Sequence, residues 1–281
     1  SGTSLVESSL IPTIKEAYGF DLNPLAILIS KVKSTPLNTE NLEKILSSIL
    51  TSRKYINKPK FKNIEFWFKP QVTEKLAILK TAINKIKDKD VRDFFLVAFS
   101  QTVRNVSNTR NGEFKLYRVE KEKLEDYNPD VFKEFEKIVL KNIKGMQEYI
   151  KARQKTITKT QLGNSMLELP LNSGCVDLIV TSPPYGDSRT TVAYGQFSRL
   201  ALQWLGYEDI MGLDNKLLGG KATKGLDVKI NSPTLKEIIK KIENIDKKRA
   251  REVLSFYEDF DKCVIQSDRV MAKNGHVCFV V

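Results

Sequence analysis

The chain has 281 residues, enough for one large α/β domain carrying an inserted subdomain, and 41% of them are hydrophobic, as in an ordinary globular protein. Three scattered cysteines and one histidine argue against a disulfide framework, a zinc site or metal catalysis; no apolar run reaches membrane-spanning length, and no stretch of these residues reads as a signal peptide, which a truncated start would hide. A net charge of +12 suits a partner with a phosphate backbone, although a lysine- and isoleucine-rich composition also arises from an AT-rich genome or a hot habitat.

The first residues, Ser1-Gly2-Thr3-Ser4-Leu5-Val6-Glu7, place a glycine before a short helical stretch. Glycine permits close backbone approach, and the helix turns its positive end toward whatever approaches. Tyr18-Gly19-Phe20-Asp21-Leu22-Asn23-Pro24 reads as a strand ending in an acid. A carboxylate in that place takes the ribose hydroxyls of an adenosyl group, by the logic of dinucleotide folds. The competing assignment for Asp21 is a cap on the helix beginning near Leu25, a job that Asn23 can do instead.

Residues 36 to 157 are dense in lysine and glutamate and carry helical periodicity, as in Leu42, Ile45, Leu46 and Ile49, or Leu76, Leu79, Ile83 and Ile86. Phe132, Phe135, Ile138 and Val139 repeat the pattern, so this stretch is expected to be a helical insertion. Within it, Lys58-Pro59-Lys60-Phe61-Lys62 followed by Phe66-Trp67-Phe68 mixes cations with aromatics, a combination that grips nucleic-acid strands. Phe66 and Phe68 are nevertheless expected in a local core. A buried helix over Val91 to Ser100 leads into Arg104, Asn105, Ser107, Asn108, Arg110, Lys115 and Arg118, placed to meet phosphates or base edges.

Val176-Asp177-Leu178-Ile179-Val180-Thr181 has the apolar content of a short buried strand in a parallel sheet. Ser182-Pro183-Pro184-Tyr185-Gly186 then ends it, because consecutive prolines forbid both helix and further strand pairing. A hydroxyl, a prolyl carbonyl and an aromatic ring would be held at the carboxyl end of a strand, where open α/β sheets place their ligands. That trio suits methyl transfer to the exocyclic amine of a nucleobase. Two acceptors, the Ser182 oxygen and the Pro183 carbonyl, would pull the delocalised nitrogen toward a tetrahedral state, while Tyr185 stacks on a base swung out of the duplex.

Beyond this corner, the first half of the stretch from Thr190 to Gly206 looks like a loop, with Ser188, Arg189, Tyr194 and Gln196 placed to touch a flipped base. A helix ending at Gly206 follows, with Leu200 and Trp204 expected in the core. Gly219-Gly220-Lys221-Ala222-Thr223-Lys224-Gly225 reads as a small, basic, mobile loop. A helix from Phe256 to about Lys273, a stop at Gly275 and an apolar strand to Val281 complete another α/β repeat. Cys175, Cys263 and Cys278 are expected to be reduced core residues.

Thr181-Ser182-Pro183-Pro184-Tyr185 resembles the catalytic motif of amino-directed, S-adenosylmethionine-dependent DNA methyltransferases, and serine in its first variable place is more typical of members acting on cytosine N4. Gly163-Asn164-Ser165 is similar to that family's Gly-Asp-Ser/Ala element, with asparagine replacing the acid that meets the cofactor's adenine. Ser1-Gly2-Thr3 resembles the tail of its glycine-rich cofactor loop. The resemblance implies an α/β fold: a Rossmann-like methyltransferase core from residues 1–35 and 158–281, truncated at both ends, with 36–157 as a helical target-recognition insertion. It implies Ser182, Pro183, Pro184 and Tyr185 as catalytic residues, and Gly2, Thr3, Asp21, Asn23, Asn164, Ser165 and Thr181 as S-adenosylmethionine contacts. Arg104, Arg110, Arg118, Arg189, Tyr194 and Gln196 are the nucleic-acid candidates, and no metal is required. The resemblance implies a cytoplasmic enzyme whose partner is double-stranded DNA with a flipped target base, in a restriction-modification system, together with a second polypeptide or missing segment that completes the sheet. Adenine-N6 methylation of DNA, methylation of an RNA base amine, and a non-catalytic DNA-binding subunit are the alternatives.

Overall fold

The computed structural model describes residues 1–110, 112, 116–184, 194–207 and 212–280. The chain divides into two compact units: Ser1–Gly19, Pro24–Gln161 and Gln196–Ile210 form the first, and Phe20–Asn23, Leu162–Gly195 and Met211–Val281 the second. Among the described residues are two two-stranded sheets and helices, a mixed α/β architecture, and no helix is long and apolar enough to cross a membrane.

The first unit begins with α1 (Thr3–Ser8), β1 (Glu16–Asp21) and α2 (Pro24–Ser34). Six helices follow: α3 (Leu42–Thr51), α4 (Ile64–Trp67), α5 (Pro70–Asn84), α6 (Lys89–Asn105), α7 (Lys121–Asp126) and α8 (Val131–Ala152). Local signals set their starts. Asp88 accepts from the Asp90 and Val91 amides at the head of α6, Asp130 accepts from Lys133 at the head of α8, and Pro70 opens α5 where no amide donor is needed. The apolar stripes predicted from spacing meet in one core, with Leu76, Leu79, Ile83, Phe95, Phe99 and Phe135 wholly buried. Each such side chain contributes about 1.5–3 kcal/mol by leaving water. From α9 (Tyr194–Leu205), Trp204 enters the same core, its ring 5.7 Å from Phe68 and 6.0 Å from Phe99, and Leu200 is buried beside it.

Phe68 is buried as expected, but Phe66 is 44% exposed. Phe66 lies within the single turn of α4, whereas Phe68 follows it in extended backbone, φ −140° and ψ 139°, so the two rings take different directions.

β2 (Ile157–Leu162) pairs with β1. Ile157 N–H donates to Lys15 O and Gly163 N–H to Asp21 O, an equal advance along both strands, so the pair is parallel. Tyr149 Oη and Thr158 Oγ1 both donate to the Ser34 carbonyl, at 2.9 and 2.8 Å, tying α8 and β2 to the end of α2.

The second unit holds β3 (Val176–Thr181), α10 (Leu213–Lys216), α11 (Pro233–Glu243), α12 (Lys247–Val270) and β4 (Met271–Phe279). α11 and α12 pack through Leu235, Ile239, Ala250 and Leu254. β3 and β4 are parallel, with Leu178 opposite His276 and Thr181 opposite Phe279, after an irregularity between Val176 and Leu178. Arg269 at the end of α12 donates to the Leu169 and Leu171 carbonyls at 2.7 and 2.9 Å, pinning the segment before β3.

Three expectations are corrected here. β3 is a parallel strand but not a buried one, for Leu178 is 53% and Val180 46% exposed, and Val277 beside them 41%. Cys175 and Cys278 are exposed for the same reason, and only Cys263, on the packed side of α12, is a buried thiol. The segment after Gly219 is tied down: Gly219 N–H donates to Asp259, Ser255 Oγ to the Lys221 carbonyl, and Thr223 N–H to the Arg251 carbonyl. Gly219 takes φ +66°, and a Cβ there would lie 3.1 Å from the Phe256 side chain.

Candidate active site

β3 ends at Thr181, whose carbonyl accepts from the Val280 amide at 2.9 Å. Pro183 follows two residues later and has no N–H, so the ladder stops and the chain turns away with Pro183 buried and Ser182 exposed. Ser182 Oγ donates to the Val280 carbonyl at 3.0 Å. A hydroxyl has one proton and two acceptor lone pairs. With the proton committed to Val280, the Ser182 oxygen is left to accept a hydrogen bond from an incoming N–H. The sequence signals the serine but not this partner, because the β3–β4 register that brings Val280 alongside follows an irregular step. Tyr185 and Arg189 lie outside the described residues, as does the side chain of Tyr194 at the start of α9.

At the carboxyl end of the β1–β2 pair, the Gly163 N–H to Asp21 carbonyl bond of 3.1 Å brings Asp21 and Asn164 to one strand edge. Asp21 Oδ1 accepts from the Asn23 amide at 2.8 Å, so this carboxylate organises its own turn. The residue has an exposed surface, yet the protein mass around the carboxyl raises its pKa above the usual carboxylate value, against the lowering effect of the Asn23 and Leu22 amides. Asn164 Oδ1 accepts from the Met166 amide at 3.0 Å, which leaves its amide nitrogen as the outward donor. An acceptor beside a donor on adjacent strand ends fits the ribose hydroxyls and ring nitrogens of an adenosyl group. Ser165 is differently engaged: its hydroxyl is 3.3 Å from Cys263 Sγ. Burial pushes the Cys263 thiol up, so it stays protonated and unreactive at neutral pH.

Gly2 and Thr3 lie at the head of α1. Gly2 adopts φ +78°, and a Cβ on it would stand 2.7 Å from Ser30 Cα, so this position admits glycine alone. Thr3 is exposed, and so is Thr181.

The nucleic-acid candidates of the first unit fare unequally. Arg104 is stacked 3.5 Å over the Phe197 ring and donates to the Phe197 carbonyl at 3.1 Å, and burial lowers its pKa. Ser107 and Asn108 are buried, with Asn108 holding the Phe66 and Trp67 carbonyls. They turn the chain into an antiparallel pair at Thr109 and Arg118, closed by Arg110 N–H to the Tyr117 carbonyl. Arg110 pairs with Glu120 at 3.1 Å, and the Arg118 guanidinium lies 4.3 Å over the Phe66 ring. Gln196 is partly exposed on the first turn of α9.

No protein-family profile and no solved structure matches the chain. Among curated proteins, the type II methyltransferase M.MvaI of Kocuria varians is 43% identical over 310 aligned positions, which span 100% of this chain and 68% of that protein.

Proposed function

The chain belongs to the type II methyltransferase family, and from that premise we propose that it methylates the exocyclic amine of cytosine, at N4, within a specific double-stranded DNA sequence, as the modifying half of a restriction-modification system. The methyl donor is S-adenosylmethionine.

The observation that carries the reading is the 3.0 Å bond from Ser182 Oγ to the Val280 carbonyl. It sets the serine as an acceptor. The lone pair of a cytosine amine is delocalised into the ring, so attack needs that nitrogen drawn toward a tetrahedral state. Ser182 Oγ and the Pro183 carbonyl accept hydrogen bonds from its two N–H groups, and placing these dipoles beforehand lowers the barrier without reorganisation during reaction. Pro184 keeps the corner rigid, and Tyr185 stacks on the base once it has left the duplex. When bound, S-adenosylmethionine supplies an electrophilic methyl group. Asp21 holds the ribose hydroxyls and Asn164 the adenine, with Gly2, Thr3, Asn23, Ser165 and Thr181 completing that contact set. Transfer is direct, and the protonated, buried Cys263 has no covalent role.

The serine of the corner favours cytosine N4 over adenine N6. In this reading residues 1–35 and 158–281 make up a Rossmann-like core, and residues 36–157 supply target recognition. The open face at Leu178, Val180 and Cys278 supports a further segment or second polypeptide covering it in the working enzyme.

The test is transfer of labelled methyl to unmethylated genomic DNA, followed by digestion and mass identification of the nucleoside. N4-methylcytosine is expected. N6-methyladenine would install the adenine reading, and label in RNA alone would change the substrate class. Activity that returns only with an added polypeptide would make the chain a subunit.

A further inference from the structure

We propose that the connection between α3 and α5 is a track for the phosphate backbone of a DNA strand, formed by Lys58, Lys60 and Lys62 and ending at the exposed ring of Phe66. The proposal rests on the DNA reading above and assigns it a surface. Along residues 58–62 exposure alternates, with Lys58, Lys60 and Lys62 open to solvent and Pro59 and Phe61 partly buried. That is the pattern of extended backbone, in which alternate side chains share a face about 7 Å apart. A nucleic-acid strand repeats its charge at a comparable step, so the three ammonium groups can meet successive phosphates.

The inward residues fix the track. Phe61 packs edge-on against Phe68 and Trp204, with centroids 6.5 and 6.2 Å away, and the Ile56 amide donates to Thr81 Oγ1 at 3.2 Å. Lys58 Nζ is steadied 5.3 Å over the Tyr55 ring. No acid occurs between Arg53 and Ile64, and among the described residues no carboxylate pairs with the three lysines. Three uncompensated cations on one ordered edge repel each other, a cost that an anionic strand removes.

At the end of the track, Phe66 is 44% exposed, held edge-on by Trp67 at 4.7 Å and capped by the Arg118 guanidinium at 4.3 Å. Arg118 Nε is buried with no hydrogen-bond partner among the described residues, so stacking on the ring is what positions this cation. An aromatic face with a cation beside it suits a sugar or base edge next to a phosphate.

The experiment is equilibrium binding of the 281-residue chain to a short fluorescent DNA duplex of random sequence across a salt series. The variant Lys58→Gln/Lys60→Gln/Lys62→Gln should lower the slope of log affinity against log salt by about 2–3, since each phosphate contact contributes about 0.9. Lys60→Gln alone should lower it by about 1. A control removing the same charge from the exposed face of α8, Lys137→Gln/Lys141→Gln/Lys144→Gln, should leave the slope within about 1 of the parent. Phe66→Ala should weaken binding several-fold with the slope unchanged. Equal slopes for the two triple variants would overturn the track while leaving the DNA reading intact. No DNA binding by the parent chain would overturn the DNA reading and the track with it.

Discussion

Lys31 in α2 is ion-paired to Asp93 in α6, with Nζ 3.0 Å from Oδ2. Lys31 also reaches Asp90 at 2.7 Å, and Lys89 reaches Asp93 at 2.8 Å, so two carboxylates and two ammonium groups form one network. The network ties the helix that follows Asp21 to the centre of the helical core. Burial works against the charged form of Asp93, but hydrogen bonds from Lys89 and Lys31 outweigh it and hold the carboxyl below its usual value. Lys31 is raised in turn, since Asp90 and Asp93 overcome its own desolvation.

Asp93→Ala is therefore expected to destabilise the chain by roughly 1–3 kcal/mol, between the values for exposed and buried pairs, and thermal unfolding at neutral pH checks it. A carboxyl with a depressed folded pKa contributes stability that is present above its unfolded value, 3.8, and lost as pH falls through the lower folded value. The difference between parent and variant should persist from neutral pH down to the carboxylate range and shrink below it.

Lys80 has the opposite character. Burial and the neighbouring Arg92 charge lower its pKa to about 8, while its ammonium lies 6.0 Å over the Phe99 ring. Below pH 8 both folded and unfolded states are protonated, and the folded state bears the full penalty. Between pH 8 and 10.5 only the unfolded state keeps the proton, so stability rises with pH. Lys80→Met keeps the packed stem and removes the charge. It should raise the melting temperature by about 2–4 °C at neutral pH, with the gain vanishing above pH 10.5.

For Asp21, burial raises the carboxyl pKa in the folded chain, so ionisation at neutral pH opposes folding, a cost that the proposed ribose contact would offset. Asp21→Asn is expected to leave stability equal or slightly higher and to weaken S-adenosylmethionine binding about 10- to 100-fold, the worth of a hydrogen bond to a charged group. Calorimetric titration measures both the affinity and its fall in the parent as pH drops through the raised pKa. Unchanged affinity in the variant would remove Asp21 from the cofactor set.

What the sequence made legible was whatever local chemistry dictates. The double proline after Ser182 forces the chain out of β3, and the spacing of Leu76, Leu79 and Ile83 marks the face that α5 buries. Pairing partners were not legible. Val280 reaches Ser182 only through a register that runs from Val176 opposite Met271 to Leu178 opposite His276, a jump that no spacing rule anticipates. Helix α12 stops at Val270, short of the glycine at 275, and residues 272–275 lie in the irregular step of β4 between Met271 and His276. The apolar strand type of β3 forecast burial, but burial depends on what lies against a strand, which its own residues do not encode.

The acceptor role of Ser182 is tested most directly by the rate of methyl transfer from Ser182→Ala to duplex DNA at saturating S-adenosylmethionine, with cofactor and DNA affinities measured on the same protein. A fall of about 100- to 1,000-fold in rate with both affinities preserved is predicted, the loss seen when one preorganised catalytic hydrogen-bonding group is removed. Transfer at the parental rate, or a defect confined to cofactor binding, would contradict it.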